Sequence, residues 1–209
     1  MTPRYLTTIM ETPNLTLGID IGSVAVKIVM LCDGVVVRKC YTRFDEGPFE
    51  TLRDLMASEF ADLSGKSFHV GLTGIGGKTA HGIVGGQVYG EVAALAAANF
   101  DQLPAIRSVI EMGGEDSKLL ILDPANHTVV DFAMNAQCAA GTGSFLDQQA
   151  SRLNLSIEKE FGELALKSTH PPRIAGRCSV FAKSDMIHLQ QIATPDYDIV
   201  AGLCFAVAR

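Results

Sequence analysis

One order of predicted elements occurs twice in this chain of 209 residues. Residues 15–63 show the pattern strand, turn, strand, turn, strand and helix, and residues 108–154 repeat it. Short apolar runs rich in β-branched residues predict the strands, and apolar residues spaced three or four apart predict the helices. Two copies of one supersecondary unit indicate a duplicated α/β architecture with a cleft between its halves.

Local patterns also predict where each element lies. The six repeated strands are predicted at Leu15–Asp20, Ala25–Leu31, Val35–Tyr41, Ser108–Met112, Ser117–Leu122 and Thr128–Met134. Asp33 and Gly34 stand between two β-branched runs, which is a strong hairpin signal. Helices are predicted over residues 48–63 and 142–154. Between the copies, "SFHVGLTG" predicts a strand that ends in glycines, and residues 89–100 predict an alanine-rich, buried helix.

The two copies carry an acid at the same place, where the first strand meets a glycine turn. The first strand ends in "GIDIGS" with Asp20, and its counterpart ends in "EMGGEDS" with Glu111. Glycines let backbone N–H groups approach an anion closely, whereas a neighbouring acid repels phosphate unless a metal ion lies between them. Two such hairpins facing each other could hold a nucleotide triphosphate and its Mg²⁺ from two sides.

A third glycine-rich segment, "GLTGIGGKT" at residues 71–79, is similar to a P-loop but lacks its spacing. The P-loop needs four residues between its first glycine and the Gly-Lys pair, and counting back from Gly77 reaches Leu72. We therefore interpret this segment as a strand-end turn that lines the cleft. No long amphipathic helix is predicted after it.

Composition excludes several function classes. With 17 basic and 23 acidic residues the net charge is −6, so the chain has no basic surplus for nucleic acid or anionic lipid. No apolar run has the length of a membrane span, and the N-terminus does not have the pattern of a signal peptide. We expect a cytoplasmic protein with neither a nucleic-acid nor a membrane partner.

Five cysteines are too sparse for a disulfide scaffold, so each is a free thiol or a metal ligand. Cys138 lies in "NAQCAAGTGSFLDQQ", before a Gly-Thr-Gly and a predicted helix. On these residues alone it is a buried thiol, a nucleophile or a ligand, and the Gly-Thr-Gly suggests phosphate binding. His170 and His188 flank Cys178, so a Cys–His catalytic pair is an alternative there.

The other cysteines and one acid have simpler interpretations. Cys32, Cys40 and Cys204 lie within strand or helix patterns, so we expect structural roles for them. Asp185 follows Cys178 in the sequence, and we expect it to cap a helix, with a supporting contact behind a ligand as the alternative.

Four segments together resemble one protein family. "LGIDIGS", "EMGGEDSKL", "CAAGTGSFLD" and "CSVFAKSDMI" resemble the activator ATPases of 2-hydroxyacyl-CoA dehydratases and benzoyl-CoA reductases, the BadF/BadG/BcrA/BcrD family. That family belongs to the actin-like ATPase superfamily, so the resemblance implies a duplicated ribonuclease H-like fold. The first two motifs are general to the superfamily, and the two cysteine motifs are specific to this branch. The resemblance covers residues 15–209.

The resemblance implies an ATP-dependent electron carrier. Such activators are homodimers that share one [4Fe–4S] cluster through two cysteines of each subunit, which here match Cys138 and Cys178. ATP hydrolysis lowers the potential of the cluster, and one electron then passes to a dehydratase or reductase component. Ferredoxin or flavodoxin is the implied electron donor. A pseudo-dimer with a tandem repeat is the alternative assembly.

The resemblance also implies roles for the two turns. Residues matching the nucleotide-binding positions are Asp20, Gly22, Ser23, Lys27, Gly113 and Gly114. Residues matching the catalytic positions are Glu111, Glu115 and Asp116. Many relatives carry Asp and Gln where this chain has Glu111 and Glu115, and a charge at Glu115 replaces the amide that positions water.

Simple physical chemistry agrees with the implied cluster. A four-thiolate cluster needs four cysteines, and a two-fold axis doubles the pair supplied by one chain. Each cysteine precedes a helical stretch, whose N-terminus carries about half a positive charge and favours an anionic cluster. We therefore interpret the Gly-Thr-Gly as a tight helix entry that sets the cluster on the positive end of that helix.

The predicted domains are residues 1–105, a first actin-like ATPase subdomain, and residues 106–209, a second subdomain with the cluster cysteines. Relatives of this kind continue into another strand and a glycine-rich adenosine motif, whereas this chain stops within "DIVAGLCFAVAR". We therefore expect the second subdomain to be C-terminally truncated, which weakens nucleotide binding and leaves ATPase activity open. The alternative functions are a small-molecule kinase of the same fold and a regulatory or dimerisation domain of a larger activase.

Overall fold

Two β-sheets, one of five strands and one of three, organise the chain in the computed structural model, which describes residues 14–44, 46–135, 141–176 and 178–209. The chain divides into two compact units, the first ending at Glu91 and the second comprising Val92–Arg209. Each unit is described by itself. The subdomain boundary predicted after residue 105 stays a prediction.

The first unit contains the five-stranded sheet. Its strands are β1 (Leu15–Ile21), β2 (Ala25–Cys32), β3 (Val35–Arg43), β4 (His69–Thr73) and β5 (Gln87–Val88), in the order β3-β2-β1-β4-β5. The first three strands form an antiparallel meander, and β4 pairs in parallel with both β1 and β5. The predicted strands are confirmed, because each observed strand of the meander extends its predicted range by only one or two residues.

Tight turns account for the register of this meander. Asp33 and Gly34 have φ values of 52° and 81°, the left-handed conformations that a two-residue hairpin of matching twist requires. The Asp-Gly hairpin prediction is thus confirmed.

The helix predicted over residues 48–63 divides into α1 (Pro48–Ser58) and a 3₁₀ turn (Ala61–Leu63).

One face of the β1–β2 pair is buried. It contributes Leu17, Ile19, Ile21, Val26 and Ile28, which alternate along β1 and β2 as a half-buried antiparallel pair requires. Apolar residues from α1, the 3₁₀ turn and β4 pack against it. A helix that was not predicted, α2 (Gly77–Val84), follows the glycine turn after β4 and adds Ala80 to the same core.

In its described residues, the second unit contains the three-stranded antiparallel sheet and five helices. Its strands are β6 (Ser108–Met112), β7 (Ser117–Asp123) and β8 (Thr128–Asn135), in sequence order. Its helices are α3 (Glu91–Gln102), α4 (Gly143–Arg152), α5 (Gly162–Ala165), α6 (Ser179–Gln191) and α7 (Asp196–Val207), with a π-helical turn (Ile157–Phe161) before α5. The strand predictions for the second copy are confirmed as closely as those for the first.

Two separate apolar clusters stabilise the second unit. Helix α3 packs against Leu120 and Leu122 of β7, whereas α4, α5, α6 and α7 surround Phe145, Phe161 and Met186. The prediction that α3 is buried is wrong, because Ala96 is its only buried residue. A helix that lies on one face of a small sheet can bury only the side that meets the sheet, whatever its alanine content.

None of the helices in the described ranges has both the length and the hydropathy of a bilayer-spanning segment.

Candidate functional site

The turn between β1 and β2 holds an acid, a glycine and a lysine in a fixed relationship. Asp20 and Lys27 are paired across the two strands, and Lys27 Nζ donates a 2.8 Å hydrogen bond to Asp20 Oδ2. Gly22 N–H closes the turn by donating to the Ala25 carbonyl at 3.0 Å. The Asp20 and Lys27 side chains are 33% and 39% exposed, so solvent and a ligand can reach this pair.

The turn between β6 and β7 repeats this arrangement. Glu111 and Lys118 are paired across the strands, and Lys118 Nζ donates to Glu111 Oε2 at 3.1 Å. Gly113 N–H closes the turn by donating to the Asp116 carbonyl at 2.9 Å. In both hairpins the acid precedes its lysine by seven residues, so the duplication predicted from the sequence extends to individual contacts.

Lys118 is the residue of this site that sequence analysis missed. Its ammonium also donates to Asp116 Oδ1 at 2.8 Å, so one lysine contacts two carboxylates. Its side chain is only 6% exposed. The signal was present in the sequence, because aligning the two copies on Asp20 and Glu111 places Lys118 at the position of Lys27.

The glycines of the two turns are needed for different reasons. A Cβ atom on Gly113 would lie 2.5 Å from Asp116 Oδ1, closer than real Cβ contacts come. A Cβ atom on Gly22 would lie 3.4 Å from the Ala25 carbonyl oxygen, which is ordinary contact. A methyl group on the second turn would therefore require the Asp116 carboxylate to move, whereas the first turn has room for one.

The segment at residues 71–79 contacts the first turn. Gly76 N–H donates to the Ile21 carbonyl at 3.0 Å, and Gly74 has a φ of 82°. A Cβ atom on Gly74 would lie 2.3 Å from the Ile21 oxygen and 2.5 Å from Asp20 Oδ1. This segment is the turn that was predicted at the end of β4. A short helix, α2, begins at Gly77, whereas no long amphipathic helix was predicted there.

Helix α4 is joined to the second turn by its backbone. Gly143 N–H donates to the Gly113 carbonyl at 2.9 Å, and Ser144 N–H donates to the Gly114 carbonyl at 3.0 Å. The first two N–H donors of α4 therefore serve the turn, because this helix begins directly against it. Gly-Thr-Gly is confirmed as a tight helix entry, since Thr142 is the N-cap residue and is buried. Cys138 lies outside the described residues.

Cys178 is the N-cap residue of α6 and is partly exposed. Its carbonyl accepts the first hydrogen bond of the helix, from Ala182 N–H at 3.0 Å. Val180 and Phe181, in the first turn of the same helix, are 67% and 65% exposed. The cysteine thus stands at the positive end of a 13-residue helix, beside two exposed apolar side chains.

The residues before Cys178 are held by α6 and α7. Ile174 is buried, and Ala175 N–H donates to Asp185 Oδ2 at 2.9 Å. A Cβ atom on Gly176 would lie 2.4 Å from the Ala206 carbonyl oxygen of α7. The expectation that Asp185 caps a helix is wrong. This residue lies inside α6, and its carboxylate holds the segment that leads to Cys178.

Of the two histidines considered as partners of Cys178, His188 is excluded by its position. His188 lies ten residues further along α6, which places it about 15 Å away at the rise of an α-helix. A Cys178–His188 pair is therefore wrong. His170 Nδ1 lies 2.9 Å from the hydroxyl of Thr169.

Burial raises the pKa of the Cys204 thiol, in keeping with a structural role.

The predicted site residues thus fall into separate groups. The first turn holds Asp20, Gly22, Ser23 and Lys27, of which Ser23 is half-buried. The second turn holds Glu111, Gly113, Gly114, Glu115 and Asp116. Glu115 points outward there, because its side chain is exposed whereas that of Asp116 is half-buried. Within the described ranges, no three His, Cys, Asp or Glu side chains come together as a metal-binding group.

Comparison with known proteins identifies relatives of this chain. The sequence model of the BadF/BadG/BcrA/BcrD ATPase family matches residues 17–209. The (R)-2-hydroxyglutaryl-CoA dehydratase activating ATPase of Acidaminococcus fermentans is 34% identical over 92% of this chain and 74% of its own length.

Solved structures agree with the sequence comparison. The activator of the 2-hydroxyisocaproyl-CoA dehydratase from Clostridium difficile with bound ADPNP has a TM-score of 0.82 at 32% identity, over 93% of this chain and 72% of that one. Component A of the A. fermentans (R)-2-hydroxyglutaryl-CoA dehydratase has a TM-score of 0.81 at 33% identity, over 93% and 75% of the two chains. The chain has the α/β fold of these activators, the actin-like ATPase fold.

Proposed function

The chain belongs to the BadF/BadG/BcrA/BcrD ATPase family, and on that basis we propose that it is an ATP-dependent electron-transfer activator. It would pass one low-potential electron from a [4Fe–4S] cluster to a dehydratase or reductase that acts on a CoA-linked substrate. The relatives support this proposal, because two of them are named as an activating ATPase and an activator of 2-hydroxyacyl-CoA dehydratases. One of these binds ADPNP.

Each of the two turns, taken by itself, has groups of the kind that bind a nucleotide with Mg²⁺. Carboxylates of Asp20, Glu111 and Asp116 are oxygen ligands of the kind Mg²⁺ prefers, directly or through water. Backbone N–H groups of the glycine turns suit the phosphates, and the exposed ammonium of Lys27 is within reach of a ligand. Glu115 is exposed on the second turn and would act on the attacking water.

One observation carries the proposal that nucleotide state and cysteine environment are coupled. Two backbone hydrogen bonds join the Gly113–Gly114 turn to the first residues of α4, the helix that follows the Cys138 segment. A shift of the turn on hydrolysis would move the start of this helix, because backbone hydrogen bonds tolerate little change in length. The turn would therefore change position when the γ-phosphate is lost, and it would move the segment that carries Cys138.

The cysteines fit a shared cluster in position and charge. Cys178 stands at the N-cap of α6, where the helix favours an anionic group, and Cys138 would supply the second thiolate of each subunit. A bound cluster would supply one-electron redox chemistry. The exposed Val180 and Phe181 support a homodimer, because apolar side chains beside a shared ligand become buried when two copies meet. Ferredoxin or flavodoxin would be the electron donor.

Anaerobic purification and reconstitution with iron and sulfide test this function. We expect about two iron atoms per chain, which is one four-iron cluster for each dimer, and a dimer in solution. Cys138→Ala and Cys178→Ala should lose the iron, whereas Cys204→Ala should keep it as the matched control within a helix. A colourless monomeric chain after reconstitution would contradict the proposal.

A further inference from the structure

Lys118 is a buried cation held by two acids. Its side chain is 6% exposed, and Nζ lies 3.1 Å from Glu111 Oε2 and 2.8 Å from Asp116 Oδ1. The carboxylates themselves are 33% and 26% exposed. The lysine therefore lies behind the two acids, and the acids lie nearer to solvent and to any ligand of the turn.

Its counterpart Lys27 differs in both respects. Lys27 contacts the single carboxylate of Asp20, and its side chain is 39% exposed. The two lysines occupy the same place in two hairpins of the same register. Their surroundings nevertheless differ, because the second turn carries Asp116 where the first has Ala25. One lysine can reach a ligand, and the other is confined behind carboxylates.

The acids of the second turn repel phosphate, and the charge of Lys118 can reduce this repulsion. Glu111, Glu115 and Asp116 place three negative charges within six consecutive residues. A nucleotide phosphate that approaches them is repelled, since unit charges a few ångströms apart interact strongly near a protein surface. A buried cation that contacts two of these acids reduces the repulsion without occupying space that the phosphate needs.

The geometry points to Lys118 as a positioning residue that holds the Glu111 and Asp116 carboxylates and offsets their charge, so that the turn accepts a nucleotide diphosphate even without Mg²⁺. This inference rests on the proposed nucleotide site and adds a role for a lysine of the second turn to which the resemblance assigned none. Lys118 acts through the two acids and does not touch the phosphate, because it is buried behind them. Lys27 has the contrasting role of a direct phosphate contact.

Removing the Lys118 charge should affect the affinity for Mg²⁺-free ADP more than the affinity for Mg·ADP. Mg²⁺ brings two positive charges between acid and phosphate, so it masks most of the loss of the Lys118 charge. Lys118→Met keeps the apolar stem and removes the ammonium, with its charge and its hydrogen bonds to the two carboxylates. We expect its affinity for Mg²⁺-free ADP to fall about tenfold, while its affinity for Mg·ADP changes by less than about threefold.

Calorimetric titration with ADP, in EDTA and in excess Mg²⁺, measures both affinities without any turnover. Lys118→Arg should retain both affinities, because it keeps the charge. Lys27→Met should weaken both forms by similar factors, because it removes a direct contact. Should Lys118→Met fail to fold, Glu111→Gln provides the opposite test. Removing one repelling carboxylate while Lys118 remains should tighten binding of Mg²⁺-free ADP and reduce the gain from Mg²⁺.

The outcomes separate this inference from the proposed function. A wild-type chain that binds both forms, with Lys118→Met weakening both equally or neither, would overturn the role of Lys118 alone. Unchanged Mg²⁺-free binding in Glu111→Gln would do the same. A wild-type chain that binds neither form of ADP would overturn the nucleotide site and this role with it.

Discussion

The backbone N–H of Gly143 donates a 2.9 Å hydrogen bond to the carbonyl oxygen of Gly113. This bond and its neighbour from Ser144 to Gly114 tie the start of α4 to the acidic turn between β6 and β7. The acidic glycine turn and the helix that follows the Cys138 segment are thereby joined by backbone hydrogen bonds. A movement of the turn would be transmitted through these two hydrogen bonds to the start of α4, the end that follows Cys138 in the sequence.

Removing the Gly143–Gly113 hydrogen bond should abolish the effect of nucleotide binding on the reactivity of the cysteine. Gly143→Pro removes the N–H donor, and proline suits the first position of α4 because Thr142 before it is extended. We expect the variant to bind Mg·ADP within about tenfold of wild type. Nucleotide should change the alkylation rate of Cys138 in the wild-type chain, followed by mass spectrometry, and this effect should disappear in the variant.

Gly143→Ala is the matched control for that test. It keeps the N–H, and its Cβ atom would lie 3.1 Å from the Gly113 oxygen, a tight contact that a small shift relieves. It should keep the nucleotide effect on alkylation. A full nucleotide effect in Gly143→Pro would show that the coupling does not depend on this hydrogen bond.

The two glycine turns should differ in their tolerance of alanine. Gly113→Ala places a methyl group 2.5 Å from Asp116 Oδ1, so the carboxylate must move and nucleotide affinity should fall about tenfold or more. Gly22→Ala has contacts of 3.4 Å and should bind within about threefold of wild type. Calorimetry with Mg·ADP measures both variants. Equal losses would mean that contacts within the turn do not decide affinity.

The same reasoning predicts opposite stability effects at two glycines of the first unit. Gly74→Ala combines a φ of 82° with a contact of 2.3 Å to the Ile21 oxygen. It should lower the free energy of unfolding by about 2 kcal/mol or more. Gly82→Ala lies inside α2 with open space around it, and should raise that free energy by about 0.5–1 kcal/mol. Urea unfolding followed by circular dichroism tests the pair. A destabilised Gly82→Ala would contradict the open helical position of Gly82, and an unchanged Gly74→Ala would contradict the tight turn at Gly74.

Burial of Cys204 makes a prediction about pH. Burial raises the pKa of this thiol in the folded chain, so folding favours its protonated form. Its contribution to stability is present below the ordinary thiol pKa and is lost as pH rises through and beyond it. At pH 8 iodoacetamide should therefore modify Cys204 more slowly in the folded chain than in urea. Equal rates in the two states would contradict its burial in α7.

Local patterns in the sequence were sufficient to predict the strands and turns. Alternating apolar residues and an Asp-Gly pair are short-range signals, and the structure confirms the strands of both meanders and the Asp33–Gly34 hairpin. The acids at Asp20 and Glu111 could be aligned because the copies have one order. Comparing the copies residue by residue would also have identified Lys118 as the partner of Glu111.

Contacts distant in sequence could not be predicted in the same way. The bond from Ala175 to Asp185 depends on how the segment before Cys178 folds back on α6, which no local pattern records. Helix α2 was missed because its glycine-rich start is typical of a turn, whereas packing of Ala80 against the sheet stabilises it. The exposed sides of α3 were missed because alanine suits a buried or an exposed helix face equally well.

Asp185 offers a test of how the cysteine is held. Asp185→Ala leaves the N–H of Ala175 without its carboxylate partner, at a cost of about 1–3 kcal/mol where that group is buried. We expect lower iron retention after reconstitution, because the segment leading to Cys178 is released. Asp185→Asn keeps an acceptor oxygen and should retain more iron. Equal iron in all three chains would show that this bond does not position the cysteine.

The central claim is that nucleotide binding at the turns controls an electron carried by the cysteines. A redox titration of the reconstituted protein, once with Mg·ADP and once with Mg·ATP, measures that coupling directly. The account predicts a lower midpoint potential with Mg·ATP, and loss of the difference in Gly143→Pro. The same midpoint potential with both nucleotides would contradict it.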